Sequence, residues 1–174
     1  MDYIFTCIGN PNILATNQRV IKFVTKDFVS LDETSILGLK ATFEFEKLKE
    51  FLNYNLMNVI LICDDVEDSF MCNINPYFIS KDVLTFRKSY FESDNTFGTF
   101  SEKAASDINK KLILKIKNTS AKLKIILRGK MASEKFEIKL TPHNEEWIKL
   151  IPNPSLNLDI LFNKLIDVSI NEGL

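Results

Sequence analysis

Arg87, Lys88, Ser89, Asp94 and Lys103 are the residues whose types and spacing come nearest to a chemical site. A guanidinium fork, two ammonium groups, a hydroxyl and a carboxylate gather around one connection, a mixture suited to holding an anionic group. The same side chains could equally form a buried polar network that fixes the loop ahead of a helix. The segment contains no glycine-rich phosphate loop, so the residues alone leave both readings open.

A basic run follows. Between Glu102 and Lys130 the only acidic residues are Glu102 and Asp107, against Lys103, Lys110, Lys111, Lys115, Lys117, Lys122, Lys124, Arg128 and Lys130. Lys110 to Lys130 therefore form a candidate basic face that could hold nucleic-acid phosphates or an acidic protein surface. No stacking-aromatic motif or helix-turn-helix pattern accompanies it, and a solvated helix face beside a polar strand face is the plainer reading.

Acid–base and metal chemistry have little to work with. His143 is the single histidine, set in a turn after Pro142. One histidine excludes two-histidine mechanisms and histidine-rich zinc sites, and in a turn it reads as a solvated loop residue. Cys7, Cys63 and Cys72 lack paired spacing; Cys7 and Cys63 fall in strand patterns and read as small buried hydrophobes. Asp64, Asp65, Glu67 and Asp68 could gather oxygen ligands, but without the alternating ligands and central glycine of a calcium loop they read as a solvated hairpin tip. No catalytic, cofactor-binding or metal-binding residue is assigned.

The elements that must position these side chains come from a chain built to pack. Fourteen phenylalanines stand against five glycines and five prolines, and 45% of the 174 residues are hydrophobic, which suits one globular core rather than a linker. A net charge of −1 gives no global pull toward nucleic acid or anionic lipid. There is no basic leader with a sustained apolar run and no apolar stretch near the roughly 18 residues of a membrane span, so no membrane partner is expected. The odd, scattered cysteines expect a reducing, cytoplasmic setting.

Tyr3–Ile8 reads as a strand closed by the turn Gly9-Asn10-Pro11-Asn12, followed by short strands at Ile13–Thr16 and Val20–Thr25. Ile36–Thr42 is a further strand, in which Gly38 suggests a bulge or a close backbone approach. Phe45, Leu48, Phe51 and Leu52 predict a short helix over about 44–54. Met57–Cys63 and Ser69–Asn73 make a hairpin, with further strands at Val83–Arg87 and Thr96–Phe100. Ser101 as N-cap, Glu102, and the stripe Ala105, Ile108, Leu112, Ile116 predict a long amphipathic helix over about 101–117. Leu123–Arg128 and Lys135–Leu140, joined across Gly129, read as a second hairpin, and Trp147–Ile151 as a last strand. Leu158–Ile170 has the spacing of a terminal helix. The expected fold is α+β and strand-dominated, an antiparallel β-sandwich or barrel-like sheet with these helices against it. Residues 1–128 form the core domain, and residues 129–174 an additional hairpin and C-terminal helix packed on it.

Several of these segments together resemble a known family. Gly9-Asn10-Pro11-Asn12, Ala15-Thr16, Phe23-Val24-Thr25-Lys26-Asp27, Ile36-Leu37-Gly38-Leu39-Lys40-Ala41, Arg87-Lys88-Ser89 and Lys103-Ala104-Ala105-Ser106-Asp107 follow the order of the mostly archaeal domain-of-unknown-function family three-seven-one. The resemblance covers roughly residues 3–128 and is most specific over 87–107. It implies a strand-rich sandwich with a helix against it, and no assigned activity. It also implies histidines where this chain has Asn10 and Asn17, a cysteine where it has Ser35 and an arginine where it has Asn95. Asparagine keeps hydrogen bonds but carries no proton at neutral pH, so any acid–base role at those positions is absent here.

The functional expectation is a non-catalytic protein-binding or assembly module, acting through a protein partner or self-association. Two alternatives stand beside it: a nucleic-acid-associated protein using the Lys103–Lys130 face, and a small-molecule binder or enzyme at Arg87–Lys103.

Overall fold

The computed structural model describes residues 1–131. Within them lie β1 (Asp2–Ile8), β2 (Val20–Val24), β3 (Ile36–Gly38), α1 (Phe45–Lys49), β4 (Leu56–Cys63), β5 (Val66–Ile74), β6 (Val83–Arg87), β7 (Thr96–Thr99), α2 (Lys110–Ile116) and β8 (Lys122–Lys130). The second hairpin arm, the last strand, the terminal helix and His143 lie outside the described residues. No helix among the described residues is long and apolar enough to cross a membrane.

Residue alternation makes the strands two-faced. Phe5 and Cys7 of β1, Leu123, Ile125 and Leu127 of β8, and Met57, Val59, Leu61 and Cys63 of β4 all point to one buried side. The strands form one eight-stranded sheet in the order β1-β8-β4-β5-β7-β6-β2-β3. The fold is strand-dominated α+β, as expected, but its pairing is mixed: β6–β7 and β2–β3 are parallel, and the remaining neighbours antiparallel. The sheet curls until its edges meet, where Ile8 and Leu39 exchange backbone hydrogen bonds of 2.7 and 3.0 Å. That single bridge does not close a barrel, which corrects the barrel-like expectation. The reason is local: β3 stops after three residues, and Lys40 takes a φ of 48° that turns the chain out of the strand. Gly38 makes the close approach its sequence context suggested, since a Cβ there would sit 2.4 Å from the Cys7 Cβ.

The concave interior is aromatic. Phe5, Phe23, Phe86, Phe97 and Phe78 meet edge to face in succession, with ring centroids 5.0 to 6.1 Å apart. Such pairs add about 0.5–1.5 kcal/mol each beyond the area they bury. At one end, Phe51 and Tyr54, just after α1, close on Gly129. Gly129 therefore lies inside β8, opposite Met57, rather than at a hairpin turn. At the other end α2 is tied to the β4–β5 turn.

The predicted long helix is broken. Glu102 instead pairs with Met71, its N–H donating to the Met71 carbonyl and its carboxylate accepting the Met71 N–H (3.0 and 2.9 Å). Ser101 donates its N–H to the Arg87 carbonyl. These two residues extend sheet pairing, so they cannot start a helix. A single 3₁₀ turn at Ala105–Asp107 follows, and Asn109 caps α2 by accepting the Lys111 N–H. The apolar stripe survives this break, because Ala105, Ile108, Leu112 and Ile116 are all buried. The short helix is likewise confined to Phe45–Lys49. Ile13–Thr16 is not a strand but a packed loop that buries Ile13 and Ala15.

Candidate functional site

The parallel pairing of β6 with β7 shapes the region around Arg87. Parallel neighbours need a connection that runs back along the strand, normally a dozen or more residues long. Here only residues 88–95 make that return. The short crossover loop carries Lys88, Ser89 and Asp94, and its far end packs against side chains of β6 and β7. The Arg87 Nε donates to the Thr96 hydroxyl at 2.9 Å, which is also 2.8 Å from the Ser93 hydroxyl. Burial pulls the Arg87 pKa below its ordinary value.

No hydrogen bond or ion pair joins the side chains of Arg87, Lys88, Ser89, Asp94 and Lys103 to one another among the described residues. Lys88 pairs with Asp107 at 2.8 Å, while Lys103 pairs with Asp68. Ser89 and Asp94 contribute backbone carbonyls, the first accepting from Phe100 and the second from Ile79 and Ser80. The Asp107 pKa is lowered because Lys88 and the Ala104 N–H both hydrogen-bond to its carboxylate. Asp68 corrects the expectation of a wholly solvated acidic tip. Only Asp64 and Asp65 form the turn, whereas Asp68 lies in β5 and anchors Lys103 and the Asn109 N–H (2.8 Å).

The Asp94 carbonyl joins the crossover loop to the loop after β5, accepting from Ile79 and Ser80 at 3.0 Å each. Together the two loops present Tyr77, Tyr90, Ile79 and Phe91 at 71, 63, 58 and 55% exposure. Tyr90 stacks on Phe100 with centroids 5.4 Å apart, and the Arg87 guanidinium lies 5.0 Å from the Phe91 ring centroid. The charge of Glu92 beside Tyr90 raises the tyrosine pKa. Sequence reasoning missed this cluster. Its available signal was the Tyr90-Phe91 pair inside an otherwise polar connection.

The basic run divides over two elements. Lys115 is taken up by Asp64 and Asp65 at 3.2 and 2.8 Å, and Arg128 by Asp2 at 2.7 Å. Lys110 donates to the Ser106 carbonyl. Lys111 and Lys117 are on α2 or at its end, while Lys122, Lys124, Arg128 and Lys130 share the exposed face of β8. Asn10 and Asn17 act as loop braces. Asn10 accepts the Asn12 N–H, and Asn17 accepts the N–H groups of Arg19 and Val20. Asn17 lies in the segment that reaches the crossover loop, since Lys88 donates to the Arg19 carbonyl.

A separate cleft of about 210 Å³ is lined by Lys22, Lys26, Glu33, Asp82 and Asn95. The Lys26 ammonium and the Ser30 N–H hold the Glu33 carboxyl down at about 2. Cys7, Cys63 and Cys72 are buried free thiols, and burial pushes all three pKa values up. Among the described residues no three His, Cys, Asp or Glu side chains are grouped to hold a metal ion.

The model of the family described as a domain of unknown function (DUF371) matches residues 5–130, which is most of the chain. The chain belongs to that family. No curated protein matches it.

Proposed function

We propose that this member of the DUF371 family is a non-catalytic protein-binding module whose contact surface is the crossover loop and its neighbour. The observation that carries this reading is the exposure of Tyr77, Ile79, Tyr90 and Phe91 on two loops joined through the Asp94 carbonyl, with Phe91 beside the Arg87 guanidinium. Aromatic residues and arginine dominate the energetic centres of protein interfaces. Large apolar side chains gathered on one surface, rather than scattered singly, mark a place of contact. Backbone hydrogen bonds anchor the ends of the crossover loop at Lys88, Ser89 and Asp94 and the neighbouring loop at Ile79 and Ser80, which lowers the ordering entropy lost on association. Charge favours a protein over a nucleic acid here: Arg87 and Lys88 are matched by Glu92 and Asp94 on the same loop. Lys88 is further held by Asp107, leaving no basic field to collect phosphates.

The test is an affinity purification from native cells, split and nuclease-treated on one side, run with the parent chain and with a Tyr90→Ser, Phe91→Ser variant. A stoichiometric protein that survives nuclease and is lost with the variant is the expected result. Equal recovery by the variant, or no stoichiometric protein at all, refutes the proposal.

A further inference from the structure

The convex face of β1, β8 and β4 carries a second surface with different chemistry. Because Leu123, Ile125 and Leu127 take the core side of β8, alternation sends Lys122, Lys124, Ile126, Arg128 and Lys130 to the other. The strand registers place Ile4 opposite Ile126, and Ile126 opposite Ile60, in one row across three strands. The row on one side reads Thr6, Lys124, Ile62; the row on the other reads Asp2, Arg128, Asn58. Ile4 is 51% exposed, Ile126 is partly exposed and Ile60 is buried, while Ile62 of the neighbouring row is partly exposed.

Among the described residues, carboxylates do not balance the charges of this face. Arg128 is satisfied by Asp2 through bonds of 2.7 to 3.1 Å. Lys122, Lys124 and Lys130 are exposed, and none pairs with a carboxylate among the described residues. An aliphatic row bordered by ammonium groups that have no carboxylate partner among the described residues suits an occupant with the inverse pattern. We propose that this face docks an acidic amphipathic segment of a partner protein, its aliphatic side chains over Ile4 and Ile126 and its carboxylates against Lys122, Lys124 and Lys130.

Charge complementarity sets this occupant apart from the others. A second copy meeting the same face about a two-fold axis would bring lysine patches against each other. A single-stranded nucleic acid would find phosphate partners but no aromatic side chain in these rows on which to stack a base. The surface lies on other strands than the aromatic cluster, so either proposal can fail alone.

The experiment titrates the full chain with a synthetic helical peptide carrying a leucine stripe flanked by glutamates. An oligothymidylate and phosphatidylserine vesicles serve as competing probes, and sedimentation gives the oligomeric state. The peptide should bind better than either probe. Its affinity should fall about tenfold or more in a Lys124→Glu, Lys130→Glu variant, as expected when attraction at an interface becomes repulsion. Ile4→Ser, at an exposed position that leaves the core intact, should weaken it as well. The Tyr90→Ser, Phe91→Ser variant should bind the peptide as the parent does. Absent peptide binding, or binding indifferent to both face variants, overturns the proposal. So does a preference for oligonucleotide or vesicles that the charge variant abolishes, or a dimer that Ile4→Ser dissolves.

Discussion

Truncating Asp68 to alanine should loosen the whole α2 end of the domain. Its side chain is 10% exposed and that of its partner Lys103 is 31% exposed. The carboxylate accepts the Ser69 N–H and the Asn109 N–H, each at 2.8 Å, as well as the Lys103 ammonium. Asn109 in turn caps α2. A hydrogen bond to a charged group contributes about 1.5–3 kcal/mol, and a donor left buried without a partner costs a similar amount. Lys103 can turn toward water, so the loss should stay below the 3–5 kcal/mol typical of a fully buried broken pair. Asp68→Ala should therefore cost about 3 kcal/mol, or about 6–12 °C in Tm for a chain of this size. Asp68→Asn keeps an acceptor for Asn109 and should cost roughly half as much. Urea denaturation gives the free energies, and amide exchange at Ile113, whose N–H bonds to the Asn109 carbonyl, gives the local effect. A loss under about 1 kcal/mol for the alanine variant, or equal losses for both variants, would refute this account of the anchor.

Three further outcomes follow from the packing and the ionisable groups. Gly9→Ala should destabilise by about 3 kcal/mol or more in the same urea assay, because its Cβ would lie 2.2 Å from the Ile116 carbonyl oxygen and backbone cannot yield as a side chain can. Glu33 has a folded pKa held at about 2, below its unfolded value, so its contribution is present at neutral pH and is lost as pH falls from about 5 toward 2. Glu33→Gln should thus be less stable than the parent at pH 6, and the difference should shrink by pH 3; a constant difference would show that Glu33 ionisation is not involved. Cys7, Cys63 and Cys72 should resist a thiol reagent at pH 8 until the protein is unfolded, and one equivalent of rapid native modification would contradict their burial.

Local periodicity explains how much of the fold was legible. Alternation of apolar and polar residues identified β1, β4, β5, β6 and β8, because a strand's side chains face opposite ways regardless of its partner. The apolar stripe over 105–116 was also correctly assigned to the core, although the chain covers it as a 3₁₀ turn and a short helix. The helix start was misplaced because Ser101 and Glu102 find partners in Arg87 and Met71, residues distant in sequence. The basic residues of β8 were visible as a run, but their row partners Ile4 and Ile60 were not.

The sequence by itself determined which residues are buried along each strand, that the chain is strand-dominated, and which family it belongs to. These depend on short-range sterics and hydrophobic pattern, which neighbouring residues carry. Tertiary structure alone decided that Ile8 of β1 bridges to Leu39 just beyond β3, that Asp68 leaves the acidic turn to anchor α2, and that the loop of Tyr77 and Ile79 joins the loop of Tyr90 and Phe91 through the Asp94 carbonyl. Each of those depends on bringing distant segments together, and the register that does so is fixed by the packing of the whole core.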